Sequence, residues 1–278
     1  MDKPKLNALL DEPNVTLAEV RRRFAHRNTL FVHIPKTAGS SLVISLSGLF
    51  PRALRLELRG GGGIDSARYN AGVRHHASAF MSDEEVPGLL IGHVPLKLHD
   101  LDALNGCNVI SFVRDPVDRV ISDYYYSTSE KHPHRDLMRD RFPTIENYIE
   151  APGERNKMFR YLSTRSDGSV EELLNSLDRF AFIGSVDAFD SSIFALSLML
   201  GARTLPMPTQ NRRVGSKGHS DAESNAALRS TIAEMNALDM ALFNHIRAVN
   251  RQTLARVGEL HRKTRMNTIV VDAGQPVG

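Results

Sequence analysis

At 278 residues, with 41% hydrophobic and 24% charged residues and a formal net charge of +3, the chain is long enough to bury one large core. Its charge is mixed and modest, and no basic helix is interleaved with aromatics, so nucleic acid is not an expected partner. The lone cysteine, Cys107, excludes an intrachain disulfide and fits a reducing compartment.

The N-terminus, Met1-Asp2-Lys3-Pro4, lacks a signal-peptide apolar core, and no run approaches the roughly 20 apolar residues that span a bilayer. A cytoplasmic protein with no integral membrane segment is expected. The first strong signal is the apolar run Leu30 to Ile34, punctuated by Pro35. It passes through Lys36, Thr37, Ala38 and Gly39 into Ser40 and Ser41, ahead of a periodic apolar segment, Leu42 to Phe50. This reads as a strand, a tight loop and a helix start. Unpaired N–H groups and the positive end of the peptide dipoles, joined by a lysine and hydroxyls, suit a phosphate or sulfate. A Walker A loop places its lysine after the glycines, whereas Lys36 precedes Gly39, so an ATPase or GTPase loop fits poorly.

Residues 52–88 show no clear periodicity; they hold Gly60 to Gly63, then Arg68, Arg74, His75 and His76. A short apolar run, Leu89 to Ile91, then delivers Gly92, His93, Val94 and Pro95. Asn108 to Val113 reads as another strand, ending in Arg114-Asp115-Pro116, after which Val117, Val120, Ile121 and Tyr124 recur at helical spacing. Asp115 suits a helix cap and Pro116 the first helical position. Arg114 therefore sits where a strand hands over to a helix, with Ser122 in the second turn. For Arg114 and Arg119 the readings are a solvated basic helix start or an anionic partner, which an arginine opposing the dipole favours.

The segment Glu130 to Arg141, with Lys131, His132, His134, Arg135, Arg139 and Arg141, suits either an anionic acceptor or an exposed connection. Phe180 to Ser185 reads as a strand and Val186 to Leu200 as a helix closed by Gly201. Residues 203–222 look like a turn-rich basic loop with Arg212, Arg213 and Lys217. Ser224 to Val257 reads as one or two long helices. Strands alternating with helices indicate an α/β protein with a mainly parallel sheet flanked by helices and ligands at the carboxyl ends of the strands.

The string His33-Ile34-Pro35-Lys36-Thr37-Ala38-Gly39-Ser40-Ser41 resembles the 5′-phosphosulfate loop of sulfotransferases that use 3′-phosphoadenosine 5′-phosphosulfate (PAPS). The resemblance is to the heparan 2-O-sulfotransferase branch, whose loop typically reads H-I-P-K-T-G-G-T-S; Ala38 and Ser40 depart from it. Arg114, Pro116, Arg119 and Ser122 fall on the family segment R-x-P-x-x-R-x-x-S, and Gly92-His93-Val94 on its G-H-V segment. The resemblance implies a P-loop-kinase-like sulfotransferase fold over a single domain, 1–278. It implies PAPS as donor, 3′-phosphoadenosine 5′-phosphate (PAP) as product, and no required metal. Pro35, Lys36, Thr37, Ala38, Gly39, Ser40 and Ser41 would hold the phosphosulfate, Arg114 and Ser122 the 3′-phosphate, and His93 would be the general base. His33 would pack or orient the loop. A basic loop late in the family's chain closes on the nucleotide, which would enlist Arg212, Arg213 and Lys217; a solvated basic loop is the other reading of these three.

Sulfuryl transfer needs a base of near-neutral pKa to take a hydroxyl proton and cationic stabilisation of the leaving phosphate, roles that suit His93 and Lys36. The acceptor implied is a hydroxyl, with a carbohydrate favoured over a small metabolite or lipid. Residues 52–88 and 130–165 are its expected binding elaborations, and helices are expected over 222–264. The family's Golgi members carry an anchor, so a bacterial cytosolic enzyme or an excised catalytic domain is expected here. The alternatives are a kinase-like phosphotransferase, which predicts ATP and Mg²⁺, and a PAPS-binding protein without catalysis.

Overall fold

The computed structural model describes residues 5–56, 67–82, 85–165, 169–202 and 217–272; at Ser40, Ser41, 67–70, Lys217 and 263–272 it describes the backbone alone. Five strands, β1 (Thr29–Val32), β2 (Arg52–Leu56), β3 (Gly88–Gly92), β4 (Asn108–Val113) and β5 (Phe182–Ser185), form one sheet. All four pairings are parallel, in the order β2-β3-β1-β4-β5. Every residue of β1, β3, β4 and β5 is buried, as expected of a parallel sheet covered on both faces.

The two-residue period of the strands divides the core. Phe31, Leu89, Ile91, Ile110 and Phe112 face one layer, made by α1 (Leu6–Leu10), α2 (Leu17–Phe24), α3 (Gly39–Ser47) and α10 (Phe189–Met199). Leu30, Val32, Leu90, Val109 and Val113 face the other, made by α4 (Ala67–Met81), α8 (Lys157–Leu162) and α9 (Val170–Leu177). The long helix α13 (Ala237–Asp272) contributes Leu242, Phe243 and Ile246 to the second layer and Val257 to the first. It passes the open edge of β5, where Asn250 Nδ2 donates to Ile183 O at 2.8 Å. An edge carbonyl is thereby satisfied from outside the sheet.

A third cluster supports α5 (Pro116–Ser127). Val117, Val120, Ile121 and Tyr124 pack with Ile145, Tyr148 and Ile149 of α7 (Ile145–Glu150). Ala222 of α11 (Lys217–Ser224) and Leu228 and Ile232 of α12 (Ala226–Met235) complete it. Between α5 and α7 lies α6 (Arg135–Arg141), which has no buried residue.

Local chemistry explains several boundaries. Asp115 caps α5 by accepting from Asp118 N at 3.0 Å, with Pro116 at the first position. Thr16 caps α2 by accepting from Glu19 N at 3.1 Å. Gly201, at φ +75°, ends α10 in a Schellman arrangement, its N–H bonding Leu198 O while Ala202 N–H bonds Ser197 O.

Some expected boundaries shift. The strand expected over 180–185 covers Phe182–Ser185, and the helix over 186–200 starts at Phe189. The aperiodic reading of 52–88 is corrected: it contains edge strand β2 and helix α4, on which Arg74, His75 and His76 are exposed. Residues 130–165 are largely helical, holding α6, α7 and α8. The basic loop expected over 203–222 gives way to helix from Lys217, and the C-terminal helices expected over 222–264 are three, running from 217 to 272.

Candidate functional site

The sheet order creates a crevice. From β1 the chain crosses to β2 on one side, and from β4 it crosses to β5 on the other, so the carboxyl ends of β1 and β4 flank a topological switch point. The loop after β1 carries Lys36, the turn after β4 carries Arg114, and β3, on the other side of β1, is followed directly by His93. Adjacent strands lie about 4.8 Å apart, so these three segments are neighbours.

The loop is backbone-strained. Lys36 (φ +69°) and Ala38 (φ +62°) both sit in the left-handed region. Each such L-residue costs roughly 1–2 kcal/mol, and strain of this kind concentrates at binding loops. Ala38 is also the N-terminal flanking residue of α3, and among the described residues no side chain caps it, so the first N–H groups of the helix suit an anionic acceptor. Thr37 is fully buried, and its hydroxyl donates to Ile34 O at 2.9 Å. Its hydroxyl proton closes the turn and is not offered to a ligand. Pro35 begins the turn, and the side chains of Ser40 and Ser41 lie outside what is described.

The Lys36 ammonium lies 3.9 Å from the ring centroid of Tyr126, on the last turn of α5. Burial pushes it below the ordinary lysine value; the Asp123 carboxylate opposes that shift, and Arg114 and Lys131 add to it. Arg114 and the basic 130–135 turn are therefore within electrostatic reach of Lys36. Tyr126 stacks edge-on against His132 at 5.5 Å, and His132 against His134 at 6.0 Å. Ser122 is half-buried on the same helix.

His93 has a defined orientation. Its Nδ1 lies 2.8 Å from His33 O. A carbonyl only accepts, so Nδ1 carries the proton and Nε2 keeps its lone pair. The His33 and His93 rings are 4.1 Å apart, and His33 N–H donates to Gly92 O at 3.0 Å, continuing the β1–β3 ladder.

Beneath this surface lies a buried ionic network. Asp123 accepts from Arg119 Nη1 (3.1 Å), Lys157 Nζ (2.7 Å) and Tyr148 Oη (2.8 Å), and Lys157 also pairs with Glu154. These partners hold the Asp123 carboxyl far below the usual carboxylate range against the opposing effect of burial, the largest single influence on it. Asp239 accepts from Met158 N and Phe159 N at the start of α8. Arg119 is fully buried, so the solvated reading of that residue is corrected: Asp123 on its own helix, Tyr148 of α7 and Asp239 of α13 are its charged and polar neighbours.

Arg212 and Arg213 lie outside the described residues. Lys217 opens α11, and Tyr125 Oη donates to the adjacent Gly218 O at 2.6 Å, seating the start of α11 on α5. Sequence reasoning missed Tyr126, Asp123 and Lys157. Tyr126 follows Ser122 by one helical turn, which was the available signal; Asp123 and Lys157 meet only in three dimensions. Two clefts, of about 420 and 340 Å³, adjoin β5 and include none of Lys36, His93 or Arg114.

No protein-family model matches the sequence, and no curated protein matches it. Among solved structures, mouse sulfotransferase SULT7A1 complexed with PAP matches with a TM-score of 0.46 and 13% identity, over 84% of this chain and 91% of that one. That likeness is too low to place any residue. Among the described residues no helix is long and apolar enough to cross a membrane.

Proposed function

We propose that this chain is a PAPS-dependent sulfotransferase acting on a hydroxyl, with a carbohydrate favoured as acceptor by its resemblance to the heparan 2-O-sulfotransferases. One observation carries the reading. The strained Lys36 loop, an oriented His93 and Arg114 fall at the carboxyl ends of the adjacent parallel strands β1, β3 and β4. The donor set is a lysine ammonium, a guanidinium and helix N-terminal amides, which is the chemistry that phosphate and sulfate oxygens require.

When bound, PAPS supplies an activated sulfuryl group on a 5′-phosphate that departs as a stable anion. Lys36 and the first amides of α3 face the charge that builds on that phosphate oxygen, in a half-buried setting where such contacts outweigh their value in water. Arg114 and Ser122 hold the 3′-phosphate, and Arg212, Arg213 and Lys217 add cations from the later segment. His93 Nε2 takes the proton from the acceptor hydroxyl as its oxygen attacks, and the imidazolium so formed keeps its Nδ1–H on His33 O.

The test is calorimetric titration with PAP in the absence of Mg²⁺, with AMP and ATP as controls. Micromolar or tighter binding that needs the 3′-phosphate, and that weakens by roughly 1.5–3 kcal/mol in Arg114→Ala, supports the reading. Preference for ATP with Mg²⁺ would replace it with a kinase-like phosphotransferase.

A further inference from the structure

We infer that His33 is a positioning residue whose imidazole joins the candidate anion loop to the candidate base, so that occupancy of the loop sets the orientation of His93. The inference rests on the reading of loop and base above and adds the link between them.

His33 is 7% exposed, and its ring is held on three sides. On one side is Phe31, stacked at 5.4 Å and 17°. On another is the His93 ring at 4.1 Å and 32°. The third side is Gly39, the first residue of α3. A Cβ built there would lie 1.7 Å from His33 Nε2 and 2.0 Å from Cδ2. The ring therefore occupies the space a side chain at position 39 would need, and any displacement of the α3 N-terminus presses on it. Interiors this closely packed transmit such displacements. The main chain makes the same connection, since His33 N–H donates to Gly92 O while His33 O receives His93 Nδ1–H.

The charge of His33 suits this role. The titratable groups facing it are His93, Arg55 and Lys36, all cationic when protonated, and with burial they hold it down to about 3. It stays neutral at working pH, does not compete with His93 for the acceptor's proton, and adds no repulsion when His93 becomes an imidazolium.

The test uses the full chain with ¹⁵N-labelled histidine and two-bond ¹H–¹⁵N spectra, the His93 signals being assigned through His93→Gln. In the parent, His93 is expected as the Nδ1–H tautomer, and PAP is expected to shift the His33 and His93 signals together. In His33→Ala the carbonyl of residue 33 still holds the Nδ1–H tautomer, but the His93 ring loses its packing, so its signals shift without ligand and PAP binds without moving them further. In Gly39→Ala, which drives a methyl into the His33 ring, the His93 signals shift with no ligand present. A His33→Ala protein whose His93 keeps the parent's signals and PAP response overturns the inference. If PAP fails to bind the parent, the nucleotide reading falls, while the ligand-free His93 signals of the parent and both variants still decide what His33 does.

Discussion

Replacing Asp123 by alanine removes the carboxylate on which Arg119, Lys157 and Tyr148 converge. Arg119 is fully buried, and its Nε and Nη2 have no hydrogen-bond partner among the described residues, so the variant would leave a guanidinium with none of its present bonds. Lys157 would keep Glu154. Three charge-assisted bonds at about 1.5–3 kcal/mol each give a gross loss above 4 kcal/mol. Relief of the carboxylate's own desolvation offsets part of this, and breaking a buried pair from one side costs about 3–5 kcal/mol net. With a urea m-value near 3 kcal/mol/M, the unfolding midpoint would fall by about 1–1.7 M. Urea titration followed by circular dichroism reads this directly. The double variant Arg119→Met with Asp123→Leu should recover most of the loss, because apolar groups of similar volume substitute well for buried pairs. A single variant costing less than about 1 kcal/mol, or a double variant no better than the single, would refute the reasoning.

Acid should destabilise the fold through two histidines. Burial depresses His33 to about 3 and His99 to about 4, Val94 opposing part of the latter shift, although neither ring nitrogen of His99 has a geometrically formed hydrogen bond among the described residues. Both folded values lie below the unfolded one, so the unfolded chain binds the extra protons: stability is intact above about pH 6.5 and falls towards pH 4, by about 2–3 kcal/mol per histidine at pH 4.5. Melting temperatures that stay flat from pH 7.5 to 4.5 would contradict this. Ala38→Gly should relieve left-handed strain of roughly 1–2 kcal/mol against an entropic cost of about 0.5–1, raising the urea midpoint slightly; a lower midpoint would mean that the alanine methyl packs favourably. His93→Ala should lower turnover of labelled PAPS by about 10²–10⁴-fold while PAP affinity in calorimetry holds, and unchanged turnover would assign the base elsewhere.

Where structure follows from neighbouring residues, the sequence was enough. The apolar run into Pro35, the cap Asp115 with Pro116 behind it, and Gly201 each specify their own turn, and each lies where it was expected. The ordering of the strands was not legible in this way, yet the apolar runs before Lys36, His93 and Arg114 were, and with them the carboxyl ends that form the candidate site. What escaped reading depends on contacts between segments far apart in the chain. Arg119 looks like a surface residue until Tyr148 of α7 and Asp239 of α13 come up beside it, and Thr37 looks like a ligand donor until its hydroxyl turns inward to Ile34 O. Helix α4 was hidden because Arg74, His75 and His76 obscure the two positions it buries there, Val73 and Ala77.

The position of β1 bears on how this protein is made. It is the first strand in the chain and the middle one in the sheet, and both its partners come later: Thr29 waits for Leu89 on one side and for Asn108 on the other. A nascent chain that has emerged only through β2 holds a strand with three apolar residues, Leu30 to Val32, and both edges bare, the type of segment that pairs with other copies when left exposed. Such long-range closure is slow, so synthesis should pass through an interval in which chaperone supply governs the yield. Fragments ending before β4 should aggregate, whereas a chain reaching Val113 can seat β1 between its partners.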